Sequence, residues 1–205
     1  MTVAPRKPTR RGIRRAPAVS GREVIAYGFG RASITALLVA LSSNGVAAIM
    51  IQERPDDEAL VAALRARFPR AELRRDDAAT RKAIEAVVDF VERPHANLDL
   101  PLDIRGTNFQ RRVWDAVLSV PFGETTTFAN VAREAGYPRA VRAVGNACTN
   151  NPLEFAIPCH RVLRSDGSWS GGSPWGDRRQ AAIVGREAAY SGGGPSKTTT
   201  NGERR

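Results

Sequence analysis

The stretch FANVAREAGYPRAVRAVGNACTNN, residues 128–151, carries the pattern from which the architecture is read. Its apolar residues recur at helical spacing on both sides of Gly136, which predicts two short helices, the first ending at Gly136 and the second opening near Pro138. In the second helix Ala140, Val141, Val144, Ala147 and Cys148 share one face, expected to be buried. Arg139, Arg142, Asn146 and Thr149 recur at steps of three and four on the other face. No acid stands between Glu134 and Glu154, and Ala143 and Gly145 leave room for a backbone or a nucleic-acid groove to approach. Two short helices with a glycine turn predict a helix-turn-helix. A solvated basic face on a helix pair that never meets DNA has the same pattern.

Upstream, LDLPLDIRG (98–106) reads as a connector. A helix follows it, opened by a Thr107–Gln110 capping box and striped by Phe109, Val113, Trp114 and Val117. PFGETTT (121–127) reads as a turn. The stretch ITALLVALSSNGVAAIMI (34–51) is two apolar runs around Asn44-Gly45, a hairpin signal, and EVIAYGF (23–29) adds a third strand. DDEALVAALRARF (56–68) predicts a helix capped near Asp56 with Leu60, Ala63, Leu64 and Phe68 on one face. TRKAIEAVVDFVER (80–93) predicts another that buries Ile84, Val87, Val88 and Val91. The expected organisation is a basic tail over 1–21, a small N-terminal α/β domain over 22–98, a C-terminal domain over 99–190, and a Gly/Ser/Thr-rich tail over 191–205. Both tails are expected to be disordered.

The 205 residues carry a net charge of +10. Residues 1–22 hold seven Arg or Lys and no acid, and 191–205 hold three against one, so the body has 21 positive and 20 negative residues. The basicity sits mainly in the tails, where it either keeps the chain soluble or draws it to phosphates. No apolar run reaches about 18 residues, so no membrane span is expected. The basic start lacks an apolar signal core, although it is rich enough in Arg to pass for a transit peptide. Two cysteines cannot build a disulfide framework, and free thiols fit a cytoplasmic protein.

One of those cysteines lies in IPCHRV (157–162), between Pro158 and His160. A thiolate is the reactive form, and His160 as base or Arg161 as cation could favour it. Successive side chains on an extended segment point apart, so a direct Cys159–His160 hydrogen bond is not expected, and a water would have to bridge them. The plain alternative is an inert buried cysteine, which also fits Cys148 on its apolar helix face. Cys148, Cys159, His160 and His95 have the count for zinc but no familiar ligand spacing, and His95 reads as a linker residue. There is no dinucleotide fingerprint after a strand and no P-loop, so no cofactor and no metal are expected.

The run VRAVGNACTNNPLEFAIPCHRVLRSDGSWSGG (141–172) resembles the O6-alkylguanine-DNA alkyltransferase family, also called methylated-DNA–protein-cysteine methyltransferases. The resemblance extends from about Val24 to Ala189. LPLDIRGTNFQRRVW (100–114) and WGDRRQAAIVGREA (175–188) look especially like the alkyltransferase half of the bacterial Ada protein. It implies an α+β chain: an RNase H-like N-terminal domain with a three-stranded antiparallel sheet and helices, then a winged helix-turn-helix-like C-terminal domain. It implies direct reversal of O6-alkylguanine, and more weakly of O4-alkylthymine, by one irreversible transfer to Cys159 after the base is flipped out of the duplex. His160 would deprotonate the thiol through a water, Glu187 would hold the histidine, and Asn151 would steady the turn. Arg142 would fill the gap left by the flipped base. The Arg139–Asn150 helix, with Ala143, Gly145, Asn146 and Thr149, would enter the minor groove of double-stranded DNA. Pro158 and the loop over 165–172, with Trp169, Ser170 and Gly171, would wall the base pocket. A monomer is expected.

Phe128 stands where the family usually has a tyrosine, and Trp169 where relatives have a tyrosine or a small aliphatic residue. The four-cysteine zinc domain of Ada has no counterpart, so phosphotriester repair is not expected. Two rival functions stay open: a DNA-binding damage sensor or regulator without alkyl transfer, and a cysteine hydrolase that turns over.

Overall fold

The two apolar runs beside Asn44 form β2 (Thr35–Ser42) and β3 (Gly45–Gln52), paired antiparallel from Ser42↔Gly45 outward. Gly45 has φ +132°, and a Cβ there would lie 2.2 Å from the carbonyl oxygen of Pro101. Only glycine suits that corner. The structure is a computed structural model that describes residues 22–52, 55–94, 98–169 and 176–190. The expected basic tail, the tail over 191–205 and His95 lie outside the described residues, as do Ser170 and Gly171.

The third strand, β1 (Val24–Ala32), pairs antiparallel with β2 as expected. The sheet has four strands, not three. β4 (Glu72–Arg75) adds parallel to β1, giving the order β3-β2-β1-β4. This strand is four residues with one apolar side chain, Leu73, and it joins by a crossover rather than a hairpin turn. It therefore carries neither the alternation nor the turn chemistry that announces a strand.

Helix α1 (Asp57–Arg67) is capped by Asp56, whose side chain accepts from Ala59 N–H at 2.9 Å. It lays Leu60 and Leu64 on one sheet face, against Ile25 and Leu38. Ala63, expected on that face, is exposed, because the contact is narrow and centres on the two leucines. Helix α2 (Asp77–Glu92), capped by Asp76, covers the other face. Its buried residues are Thr80, Ala83, Val87, Phe90 and Val91; the expected Ile84 and Val88 are half-buried on the flank. The helix approaches β1 so closely that a Cβ on Gly28 would be 2.2 Å from Thr80 Oγ1.

The outer edge of β3 is not left open. Val46 N–H donates to Pro101 O at 2.7 Å and Asp103 N–H to Val46 O at 2.8 Å. Further along, Ile49 N–H donates to Pro152 O at 2.8 Å and Glu154 N–H to Ile49 O at 3.1 Å. An unpaired edge invites association with another chain. Here the connector and a C-terminal segment occupy it.

In the C-terminal half, α3 (Asn108–Leu118) has the predicted capping box and buries Val113, Trp114 and Val117. Helices α4 (Phe128–Glu134) and α5 (Val141–Thr149) pack on it, and Trp114 Nε1–H donates to Ala147 O at 3.0 Å. The second helix begins at Val141, later than Pro138. Ala140 N–H donates to Tyr137 O at 2.9 Å, so Pro138 and Arg139 form a turn. The late start leaves Val141 exposed and Ala140 half-buried, against the expected buried face; Val144, Ala147 and Cys148 are buried. Two-residue strands β5 (Thr126–Thr127) and β6 (Val162–Leu163) pair in parallel, and α6 (Gly176–Tyr190) closes the described fold. The larger core draws on β2, β3 and α2 as well as α3 to α6, so apolar packing runs through both halves. Among the described residues no helix is long and apolar enough to cross a membrane.

Candidate active site

The segment between α5 and β6 is held by Asn151, which is buried. Its Nδ2 donates to Ile157 O at 2.9 Å and to Leu153 O at 3.3 Å, and lies 3.5 Å from Cys159 Sγ. Its Oδ1 accepts from Leu153 N–H at 2.9 Å. One amide thus ties the loop into a ring that ends at the sulfur. Within the loop Phe155 has φ +67°, the one non-glycine residue with positive φ among those described. Such a conformation costs roughly 1–3 kcal/mol and survives only where its surroundings enforce it.

Pro158 is buried and leads into a single 3-10 turn, Cys159–Arg161. Three residues per turn set neighbouring side chains about 120° apart. Cys159 and His160 therefore diverge, as expected, although the cause is a tight turn and not an extended strand. Cys159 is half-buried, while His160 is 1% and Glu187 0% exposed.

His160 Nε2 lies 2.8 Å from Glu187 Oε1. Arg161 Nε donates to Glu187 Oε2 at 2.8 Å and its Nη2 to Oε1 at 3.1 Å. Arg161 Nη1 also donates to Val120 O at 3.1 Å, and the guanidinium sits over the Phe122 ring. Burial by itself would raise the Glu187 pKa. The bonds and charges of His160 and Arg161 outweigh that and hold it at about 2. Burial pushes the His160 pKa down, beyond what Glu187 restores, and Arg161 lowers it further. The histidine is then neutral. An ionised carboxylate only accepts, so Nε2 carries the ring proton and Nδ1 is an acceptor. This is the tautomer a general base requires.

The thiol differs from expectation. Cys148, burial and the Glu154 carboxylate together push the Cys159 pKa well up, against the Asn151 amide. Arg161, considered as the cation that would lower it, is turned instead onto Glu187.

Cys159, His160, Glu187, Asn151 and Pro158 are thus brought together. On α5 the inner face carries Cys148 against Cys159, while Arg142, Ala143, Asn146 and Thr149 are exposed on the outer side, with Arg139 exposed just before the helix. A Cβ added at Gly145 would meet nothing within 4 Å, so that side is open. Phe128 opens α4 half-buried, and Trp169 is half-buried. No group of three or more His, Cys, Asp or Glu among the described residues could hold a metal ion. Sequence reasoning missed the Arg161 fork, the bond from Gln180 Nε2 to His160 O at 3.0 Å, and the closeness of Glu154 to the thiol. Only the adjacency of Arg161 to His160 offered a signal.

The site joins a half-buried cysteine, a buried His–Glu pair one residue along the chain, and a helix that exposes Arg142, Asn146 and Thr149. The family model for the 6-O-methylguanine DNA methyltransferase DNA binding domain matches residues 108–189. The inducible methylated-DNA–protein-cysteine methyltransferase of Bacillus subtilis is 34% identical over 133 residues, which cover 65% of this chain and 74% of that protein. The chain belongs to the methylated-DNA–protein-cysteine methyltransferase family. The bifunctional transcriptional activator/DNA repair enzyme Ada of Escherichia coli is 40% identical over 164 residues, covering 80% of this chain and 46% of Ada. The chain thus spans about half the length of the first curated relatives it matches. The crystal structure of Mycobacterium tuberculosis OGT in complex with DNA matches with a TM-score of 0.67 and 29% identity, over 80% of this chain and 93% of that one. The mixed α+β fold, a four-stranded sheet with helices, is common to both.

Proposed function

We propose that this protein repairs DNA by moving the alkyl group of O6-alkylguanine, and less readily of O4-alkylthymine, onto Cys159. The observation that carries the reading is the buried His160, held by Glu187 at 2.8 Å, next in the chain to a half-buried thiol. His160 Nδ1 takes the thiol proton through a water as the sulfur attacks the alkyl carbon. The S–C bond forms, the C–O6 bond breaks, and the electron pair stays on guanine. The proton lost by the thiol balances the one that guanine gains at N1. Donors that meet the developing charge on O6 lower the barrier. Water does not readily cleave the resulting thioether, so each molecule acts once.

The target atom lies inside a stacked duplex and must leave it. The exposed row Arg139, Arg142, Asn146 and Thr149, with small Ala143 and Gly145 between, supports minor-groove binding by α5. Arg142 then fills the space of the extruded base. The DNA complex of the tuberculosis relative supports the same partner. Phe128 supplies an apolar ring beside the base without a phenol's hydrogen bond. Trp169, half-buried, walls the pocket. In this reading the N-terminal half is RNase H-like, the C-terminal half a winged helix-turn-helix, and the protein a cytoplasmic monomer that needs no cofactor. Labelled methyl should pass from an O6-methylguanine duplex to wild-type protein and not to Cys159→Ala. Label on the alanine variant would remove Cys159 from the mechanism.

A further inference from the structure

The ring behind the base is held from the other half of the molecule. Phe155 is 2% exposed, and its ring lies 6.1 Å from the His160 ring at 59°. It also meets Phe90 of α2 at 6.0 Å and 60°. Offset and tilted contacts at these separations are favourable and directional for aromatic rings. Phe90 is itself 1% exposed and belongs to the core that joins the sheet to the C-terminal helices. Glycine would adopt the Phe155 backbone without strain, yet a large ring stands there at φ +67°. The strained residue is clamped on both sides: Glu154 N–H donates to Ile49 O of β3 at 3.1 Å, and Ile157 N–H donates to Leu153 O at 2.9 Å.

We infer that Phe155, seated on Phe90, is a positioning residue for His160, and that the N-terminal half reaches the proton-transfer machinery through this pair of rings. The inference rests on the proposed alkyl transfer for its kinetic consequence alone. Glu187 of α6 fixes the edge of the imidazole through Nε2, and Gln180 of α6 fixes its backbone carbonyl. Phe155 adds a tilted ring contact at 6.1 Å to these two bonds. The charged groups that act on His160 are Glu187 from α6 and Arg161 from its own turn. Nothing charged comes from Phe155 or from the Phe90 ring behind it. Their contribution is to exclude water, which keeps the imidazole neutral.

The test uses the full chain with Phe155→Leu and, separately, Phe90→Leu. Imidazole titration of His160 is followed by NMR without DNA, and single-turnover methyl transfer is measured against pH. In Phe155→Leu water reaches the ring, so the His160 midpoint rises by about half a pH unit or more. Transfer slows about tenfold or more while DNA affinity is unchanged. Phe90→Leu shifts both in the same direction by less, and the double variant is no worse than Phe155→Leu. A folded Phe155→Leu protein with the wild-type titration and rate overturns the inference. If that variant does not fold, a wild-type titration in Phe90→Leu overturns it instead. Wild-type protein that transfers no methyl group defeats the proposed function, and the His160 titration still judges the ring pair.

Discussion

Glu187→Gln separates what holds this site together from what makes it react. The carboxylate takes three hydrogen bonds, one from His160 and two from Arg161. A glutamine has one acceptor oxygen and one NH2, so one of the two partners must face a donor with a donor. The cost follows from the titration. Glu187 sits at about 2 against an ordinary 4.5. A difference of about 2.5 units at about 1.4 kcal/mol each is worth about 3.5 kcal/mol. Removing one partner of a buried ion pair costs about 3–5 kcal/mol, the same range. The folded-state pKa is the lower one, so this contribution is complete at neutral pH. It starts to fade as the pH falls below about 5, and is gone near about 2. In denaturant titrations at pH 7 the variant should lose about 3.5 kcal/mol, and its Tm should fall by about 7–14 °C. The gap from wild type should narrow as the pH drops from about 5 towards 3. Single-turnover transfer should slow by about 10²–10³, because the imidazole loses its fixed tautomer. Replacing both members of the ion pair, with Glu187→Leu and Arg161→Met together, should recover part of the stability and none of the rate, because His160 Nε2–H is left without its acceptor. A Glu187→Gln protein within about 0.5 kcal/mol of wild type that also reacts at the wild-type rate would refute the reasoning.

Arg142→Ala should slow transfer from duplex DNA by about tenfold or more and leave reaction with free O6-methylguanine base unchanged, since only the duplex needs the gap filled; both rates can be read by single-turnover assay. Alkylation of Cys159 by iodoacetamide in DNA-free protein should be slower at pH 7 than that of a simple thiol, and should keep rising at alkaline pH, because the folded site holds the thiol pKa up. Gly45→Ala should cost about 2 kcal/mol or more by thermal unfolding, since a Cβ at φ +132° would stand 2.2 Å from Pro101 O.

What could be read from the sequence was local. The hairpin about Asn44, the Asp56 cap and the Thr107–Gln110 box depend on residues a few positions apart, and each is present. β4 was invisible because its pairing is parallel and its residues are mostly charged. Val141 left the expected buried face because a turn through Pro138 delayed the helix, an outcome that propensity at one proline does not settle. His160 and Glu187 are 27 residues apart with no periodic relation, so resemblance alone suggested the pairing. The direction of the Cys159 shift was also hidden: it arises from Cys148, burial and Glu154, and only the folded chain brings these to the sulfur. Phe155 gives no warning of its positive φ, because that conformation ordinarily selects glycine or asparagine.

The proposed repair consumes one sulfur, alkylated once. Intact mass spectrometry and peptide mapping after incubation with excess duplex bearing O6-methylguanine measure this directly. The mass should rise by a single CH2 unit and then stop, with one repaired base per protein, and the modified peptide should contain Cys159 with Cys148 untouched. Repeated turnover by unmodified protein, or a methyl group found on any other residue, would contradict it.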